Sequence, residues 1–81
     1  MNIASNRDEE LLKELGRWIT LIRKNERLSR QQLADATGMS AMAISYIENG
    51  KRWPRVSSLE KIAKVLDVSI GDLFLTFEPK R

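Results

Sequence analysis

The 81-residue sequence contains no cysteine and no histidine. Without cysteine there is neither a disulfide framework nor a thiolate metal ligand, and without histidine the commonest general base and a further zinc ligand are missing. We therefore expect no cofactor, no metal and no enzymatic activity. No apolar run approaches the roughly 18 residues of a membrane-spanning helix, and the polar N-terminal residues show no signal peptide. These absences predict a cytoplasmic protein without a membrane partner or a small-molecule substrate.

The charge of the chain is unevenly distributed around its net value of +3. Residues 1–16 carry four anions against two cations, whereas residues 17–26 carry three cations against one anion. Residues 27–55 carry five cations against two anions, and residues 56–81 are balanced. A chain of this length forms one small domain, so the positive excess lies on one part of a single folded unit.

Residues 29–49 show the most informative pattern in the chain. Ala34, Gly38, Ile44 and Ile47 are separated by 4, 6 and 3 residues. Ala34 is small where two helices cross, Gly38 can adopt the positive φ of a turn, and the isoleucines turn one face of the second helix inward. The spacing predicts a helix-turn-helix whose second helix has an outer face free to enter a DNA major groove.

The rest of the chain predicts three further helices. We expect the first to start near Asn6 or Arg7, with an Asn6–Glu9 capping box, and we interpret Gly16 as a site of close helix packing in preference to a kink. Its inward stripe consists of Leu12, Leu15, Ile19 and Ile22. Further N-terminal caps are predicted at Ser29 with Gln32, at Ser40, at Ser57 with Glu60, and at Ser69 with Asp72. The sequence thus predicts an all-α, compact five-helix bundle over residues 7–75, with tails at 1–6 and 76–81.

The sequence resembles the phage-repressor/Cro-like, or XRE-like, helix-turn-helix regulators over about residues 15–74. The resemblance is carried by LSRQQLA at 28–34, by SYIENGKRWP at 45–54, and by the apolar positions of the last two helices. It implies a lambda-repressor-like fold and a DNA-binding transcriptional regulator, with roles for single residues. The base-contacting positions are Ser40, Ala41, Met42, Ser45 and Tyr46. The phosphate-contacting positions are Arg30, Gln31, Asn49, Lys51, Arg52 and Arg55.

The resemblance also implies contacts within and between subunits. Arg23 and Glu48 match a pair that joins the first helix to the third, and we expect a structural ion pair there. The last helix and the tail are expected to supply a homodimer interface, with Ile70, Leu73, Phe74 and Phe77 as candidates. The first helix, with Leu11 and Leu12, is the other candidate surface. Trp53 is expected to cover its loop against the fourth helix; the alternative is a contact to DNA sugar or to a second subunit.

The predicted recognition helix departs from the family in one respect. Residues 40–46 hold no side chain that makes bidentate contacts to a base, so Ala41 and Met42 would pack on thymine methyl groups. Readout then depends on methyl contacts, DNA shape and arginine insertion, with Arg55 as a possible minor-groove reader, or else specificity is modest. We expect a homodimeric regulator, most simply a repressor, on a palindromic operator. The alternative is a protein-interaction module or an antitoxin-type component that binds a partner protein.

Overall fold

The computed structural model describes the backbone of residues 3–75 and the side chains of residues 8–73. Over this part of the chain the structure is all-helical, as the sequence predicts. The helices are α1 (Ile3–Asn25), α2 (Arg30–Thr37), α3 (Ala41–Glu48), α4 (Val56–Val65) and α5 (Ile70–Leu75). Helix α1 packs on α3 and α5, α2 packs on α3 and α4, and α4 packs on α5.

Helix α1 begins at Ile3, ahead of the predicted start near Asn6 or Arg7. The predicted Asn6–Glu9 capping box is therefore wrong, because an N-cap residue has non-helical backbone and Asn6 lies inside the helix. Residues 3–5 contain neither glycine nor proline, so nothing in the local sequence stops one further turn. Residues 3–6 of the predicted N-terminal tail are therefore helical.

Three of the five predicted N-terminal caps are confirmed. Ser29 Oγ accepts from the Gln32 amide at 3.0 Å, while Gln32 Oε1 accepts from the Ser29 amide at 2.8 Å. Ser40 Oγ accepts from the Ala43 amide at 3.0 Å. At α5, Ser69 Oγ accepts from the Asp72 amide and Asp72 Oδ2 accepts from the Ser69 amide, at 2.9 and 3.0 Å. These bonds satisfy amides that have no partner within the helix.

The predicted cap of α4 at Ser57 and Glu60 is wrong. The chain is extended at Arg55, directly after Pro54, and becomes helical at Val56, with no side-chain cap. Ser57 is already inside the first turn, so its hydroxyl does not occupy the capping position.

The core lies where the five helices meet. Its fully buried large side chains are Leu15, Ile19, Leu33, Ile44, Ile62, Leu66 and Leu73. Ala34 is 0% exposed on the α2 side of the helix-turn-helix, which agrees with its role as a small residue at the crossing. In the turn, Gly38 has a φ of 75°, a left-handed conformation that costs other residues free energy, and its amide donates to the Ala34 carbonyl.

Gly16 marks the closest approach of α1 to α3. A Cβ built at this position lies 2.5 Å from the carbonyl oxygen of Ile47 and closer still to that of Glu48. The absence of a side chain lets the C-terminal end of α3 rest directly on the backbone of α1. The close-packing interpretation of Gly16 is therefore confirmed, and α1 runs through it as one continuous helix.

Candidate nucleic-acid interface

Helix α3 has two distinct faces. Ile44 and Ile47 are 1% and 3% exposed and join the core, whereas Met42 is 65% exposed on the outer face. Of the other predicted base-contacting residues, Ser40 and Tyr46 are exposed and Ala41 and Ser45 are half-buried. The outer face therefore has a large apolar centre at Met42 with single hydroxyl groups beside it.

Two of the predicted DNA-contacting residues are held by neighbours on the same surface. The Arg52 guanidinium carbon lies 5.0 Å from the centroid of the Tyr46 ring, within the range of a cation–π interaction. Asn49 Nδ2 donates to Ser45 Oγ at 3.2 Å. The loop after α3 is thus joined to the recognition helix by side chains from both elements. Sequence reasoning missed the Tyr46–Arg52 contact, because the intervening turn decides whether the two side chains meet.

The predicted phosphate-contacting residues fall into two groups. Gln31, Lys51, Arg52 and Arg55 are exposed, and Gln31 Nε2 donates to Asp35 Oδ1 at 2.8 Å. Arg30 differs, because its Nε donates to Glu48 Oε1 at 2.9 Å while its side chain stays 46% exposed. Arg30 therefore joins the N terminus of α2 to the C terminus of α3, a role that the sequence did not indicate.

Glu48 and Arg23 form a buried ion pair. Arg23 Nε donates to Glu48 Oε2 at 2.7 Å and Arg23 Nη2 donates to Oε1 at 3.1 Å. The remaining nitrogen, Nη1, donates to the Leu28 carbonyl at 2.8 Å, so the guanidinium fixes both the end of α1 and the loop before α2. Burial by itself raises the pKa of Glu48, but the hydrogen bonds from Arg23 and Arg30 together with the charge of Arg23 outweigh it, and the pKa lies below its ordinary value.

Trp53 and Leu21 are two of the exposed large hydrophobic side chains. Trp53 is 44% exposed in the loop after α3, so it is only partly covered. Leu21, on α1, is 58% exposed and was not singled out from the sequence, because an isolated leucine at the edge of an apolar stripe carries no distinct signal.

The candidate dimer-interface residues differ in how deeply the fold buries them. Leu73 is 0% exposed in the core, so its prediction as an interface residue is wrong: its side chain is already used within the subunit. Ile70 is half-buried, and Leu12 on α1 is only 7% exposed. The side chains of Phe74 and Phe77 lie outside the described residues.

Two further observations concern the described residues as a whole. Within the described residues, no helix has the length and apolar character to cross a membrane. The acidic side chains of this same region do not gather into a group that could hold a metal ion. In the described residues, the second helix of a helix-turn-helix, α3, has an exposed outer face, and exposed cations follow it in the next loop. This is a DNA-binding domain of the transcription-regulator class.

Comparison with known proteins places this domain in a family. The chain belongs to the HTH_3 helix-turn-helix family, whose profile matches residues 19–73. It is 35% identical over 65 residues to the competence pilus inhibition repressor of Acinetobacter baylyi, covering 80% of this chain and 59% of the repressor. It is 36% identical over 59 residues to the transcriptional regulator PuuR of Escherichia coli, covering 73% of this chain and 32% of PuuR. It therefore spans less than two thirds of either relative.

A solved structure agrees with the fold. The restriction-modification controller protein C.AhdI from Aeromonas hydrophila superposes with a TM-score of 0.76 at 27% identity, over 78% of this chain and 96% of that one. The resemblance inferred from the sequence motifs and the five-helix fold are thus both confirmed.

Proposed function

We propose that the protein is a sequence-specific double-stranded DNA-binding transcriptional regulator that represses by occupying its operator. The observation that carries the proposal is the two-sided α3, with Ile44 and Ile47 in the core and Met42 and Tyr46 exposed directly after the Gly38 turn. A helix held this way by its inner face can lie in the major groove with its outer face against the bases.

Base readout in this proposal uses Ser40, Ala41, Met42, Ser45 and Tyr46. Met42 supplies apolar surface for a thymine methyl group, and the hydroxyl groups form single hydrogen bonds with base edges. Because bidentate contacts are lacking at these positions, much of the discrimination between sequences comes from DNA shape and deformability.

Phosphate contacts position this helix. Lys51, Arg52 and Arg55 are exposed and form no ion pair with a described residue, so they can approach the DNA backbone. Gln31 is also exposed, and its amide group donates to Asp35. Arg30 contributes its exposed part while its Nε stays on Glu48. Such contacts carry no sequence information but supply affinity and fix orientation.

The regulator acts as a homodimer on a palindromic operator, with recognition helices about one DNA turn, ~34 Å, apart. The half-buried Ile70, together with Phe74 and Phe77, is one surface for this contact, and α1 around Leu11 is the other. The protein functions in the cytoplasm without a cofactor, a small-molecule substrate or enzymatic activity. The exposed apolar Met42 favours one alternative, an antitoxin-type module that docks a partner protein on the α3 face.

The test is binding to generic duplex DNA at two salt concentrations. Wild type is compared with a Lys51→Ala/Arg52→Ala/Arg55→Ala variant and with a Lys61→Ala/Lys64→Ala control on α4, all checked for folding by circular dichroism. We expect wild type and control to lose affinity steeply with salt, and the triple variant to bind weakly with a shallower slope. A wild type that ignores duplex at low salt contradicts the proposal and directs attention to protein partners of α3.

A further inference from the structure

An open groove of about 470 Å³ lies between α1 and the C-terminal end of α3. Arg17, Leu21 and Lys24 line its α1 side, while Arg30 and Asn49 line the opposite side. Neither the family resemblance nor the sequence patterns assigned a role to the three α1 residues.

The groove is cationic despite the carboxylate at its base. The Glu48 side chain is 0% exposed and its charge is compensated by Arg23 and Arg30. Arg17 pairs with Glu14 at the outer rim, and Lys24 forms no ion pair with any described residue. What an incoming molecule meets is therefore a row of positive side chains with an exposed leucine among them.

We propose that this groove binds a sugar–phosphate segment of the operator DNA, so that the DNA interface extends from α3 onto α1. The inference rests on the proposed function and adds a contact surface to it. Continuity supports it, because Arg30 and Asn49 belong both to the groove and to the predicted phosphate-contacting set. Leu21 and Lys24 line the same groove as these two residues, so a strand that lies in it would contact all four.

The order of side chains along α1 fits a DNA strand. Arg17, Leu21 and Lys24 lie on one stripe of the helix, at intervals of four and three residues. The two cations are about 10 Å apart along the helix axis at 1.5 Å per residue, with Leu21 between them. Phosphate, deoxyribose and phosphate alternate along the strand in the same way, with the apolar sugar against Leu21.

The first test compares Lys24→Gln with Lys61→Gln, an equal loss of charge at an exposed position of α4 outside the groove. Affinity for a duplex of fixed sequence is measured between 50 and 200 mM salt. Each phosphate contact adds about 0.9 to the slope of log affinity against log salt. Wild type and Lys61→Gln are expected to lose about 3.5-fold more affinity over this interval than Lys24→Gln.

Two further variants alter the groove without touching the core. Leu21→Asp places a carboxylate in the proposed path of the strand and is expected to weaken duplex binding more than Lys24→Gln does. Glu14→Gln frees Arg17 and is expected to tighten binding and steepen the salt slope. Both positions are exposed, so the variants are expected to keep the wild-type fold, which circular dichroism checks.

The possible results separate this inference from the proposed function. If Lys24→Gln keeps the slope of Lys61→Gln and Leu21→Asp binds as wild type does, the inference is wrong, and an acidic segment of a protein becomes the occupant to test. If the groove variants behave in this way while the Lys51→Ala/Arg52→Ala/Arg55→Ala variant loses binding, the proposed function stands and only the groove inference is wrong. If wild type binds no duplex at all, both fall together.

Discussion

The Arg52 guanidinium lies over the ring of Tyr46, 5.0 Å from its centroid. This contact joins the recognition helix to the loop that carries the proposed phosphate contacts. An arginine already held near its binding position loses less conformational freedom when it meets a phosphate. Tyr46 therefore positions Arg52, in addition to any contact that its own hydroxyl group makes with a base.

The first prediction separates these two roles of Tyr46. Tyr46→Leu removes the ring and is expected to weaken duplex binding by about 0.5–1 kcal/mol, roughly two- to five-fold, the size of an exposed cation–π interaction. Tyr46→Phe keeps the ring and is expected to bind within two-fold of wild type. Fluorescence anisotropy with a labelled duplex measures both variants. If Tyr46→Phe and Tyr46→Leu lose the same amount of duplex affinity, the effect comes from the hydroxyl group instead.

A second prediction concerns Gly16 on α1. Alanine in a helix interior is favoured over glycine by about 1 kcal/mol, yet Gly16→Ala is expected to lower the free energy of unfolding by about 1–3 kcal/mol through overpacking. The reason is that its Cβ would meet backbone carbonyl groups of α3, which have no room to move aside.

Gly71, in α5, provides the matched control for this prediction. The nearest atom to a Cβ at Gly71 is Ser69 Oγ at 3.6 Å, an ordinary contact. Gly71→Ala is expected to keep or raise the stability seen in urea titrations. A Gly16→Ala variant as stable as wild type would mean that α1 and α3 separate without cost.

The third prediction concerns the buried ion pair. Arg23→Ala leaves Glu48 buried with Arg30 alone, and we expect a loss of about 3 kcal/mol, the low end for breaking a buried pair. Arg30→Ala is expected to cost about 1 kcal/mol, because the Arg30 side chain is half exposed.

A double variant tests whether the loss comes from the stranded charge. Arg23→Met/Glu48→Leu removes both partners and is expected to recover much of the stability lost in Arg23→Ala. Urea titration monitored by circular dichroism measures all three variants. A double variant less stable than Arg23→Ala would show that the pair itself, with the Arg23–Leu28 bond, stabilises the fold.

The fourth prediction follows from the lowered pKa of Glu48. Its ordinary value is 4.5, and the folded value lies below this, so the carboxylate stabilises the fold fully above about pH 5. As the pH falls below 4.5 the unfolded chain takes up the proton first, and this contribution is lost progressively.

The variant Glu48→Gln lacks this titration and supplies the reference. The difference in unfolding free energy between wild type and Glu48→Gln is expected to stay constant from pH 7 to pH 5 and to shrink at pH 4 and pH 3. A difference that stays constant down to pH 3 would mean that the folded and unfolded chains hold this proton equally.

The local signals in the sequence predicted most of the helix boundaries. Ser29, Ser40 and Ser69 cap the helices that they were expected to cap, because a cap depends on bonds that reach only three residues along the chain. The same reasoning failed at Asn6 and Ser57, where capping residues lie inside helices that begin earlier. A capping residue permits a helix start but does not impose one.

The sequence by itself determined the five-helix fold, the Gly38 turn and the inner face of α3, since periodicity and turn chemistry act over a few residues. Only the tertiary structure brought Arg30 to Glu48, set Arg52 over Tyr46 and placed Leu21, Lys24 and Asn49 along one groove. The packing of the helices also buries Leu73 in the core. These contacts join side chains from separate elements, and the packing of α1 and α2 against α3 decides them, because no local pattern records which neighbours meet.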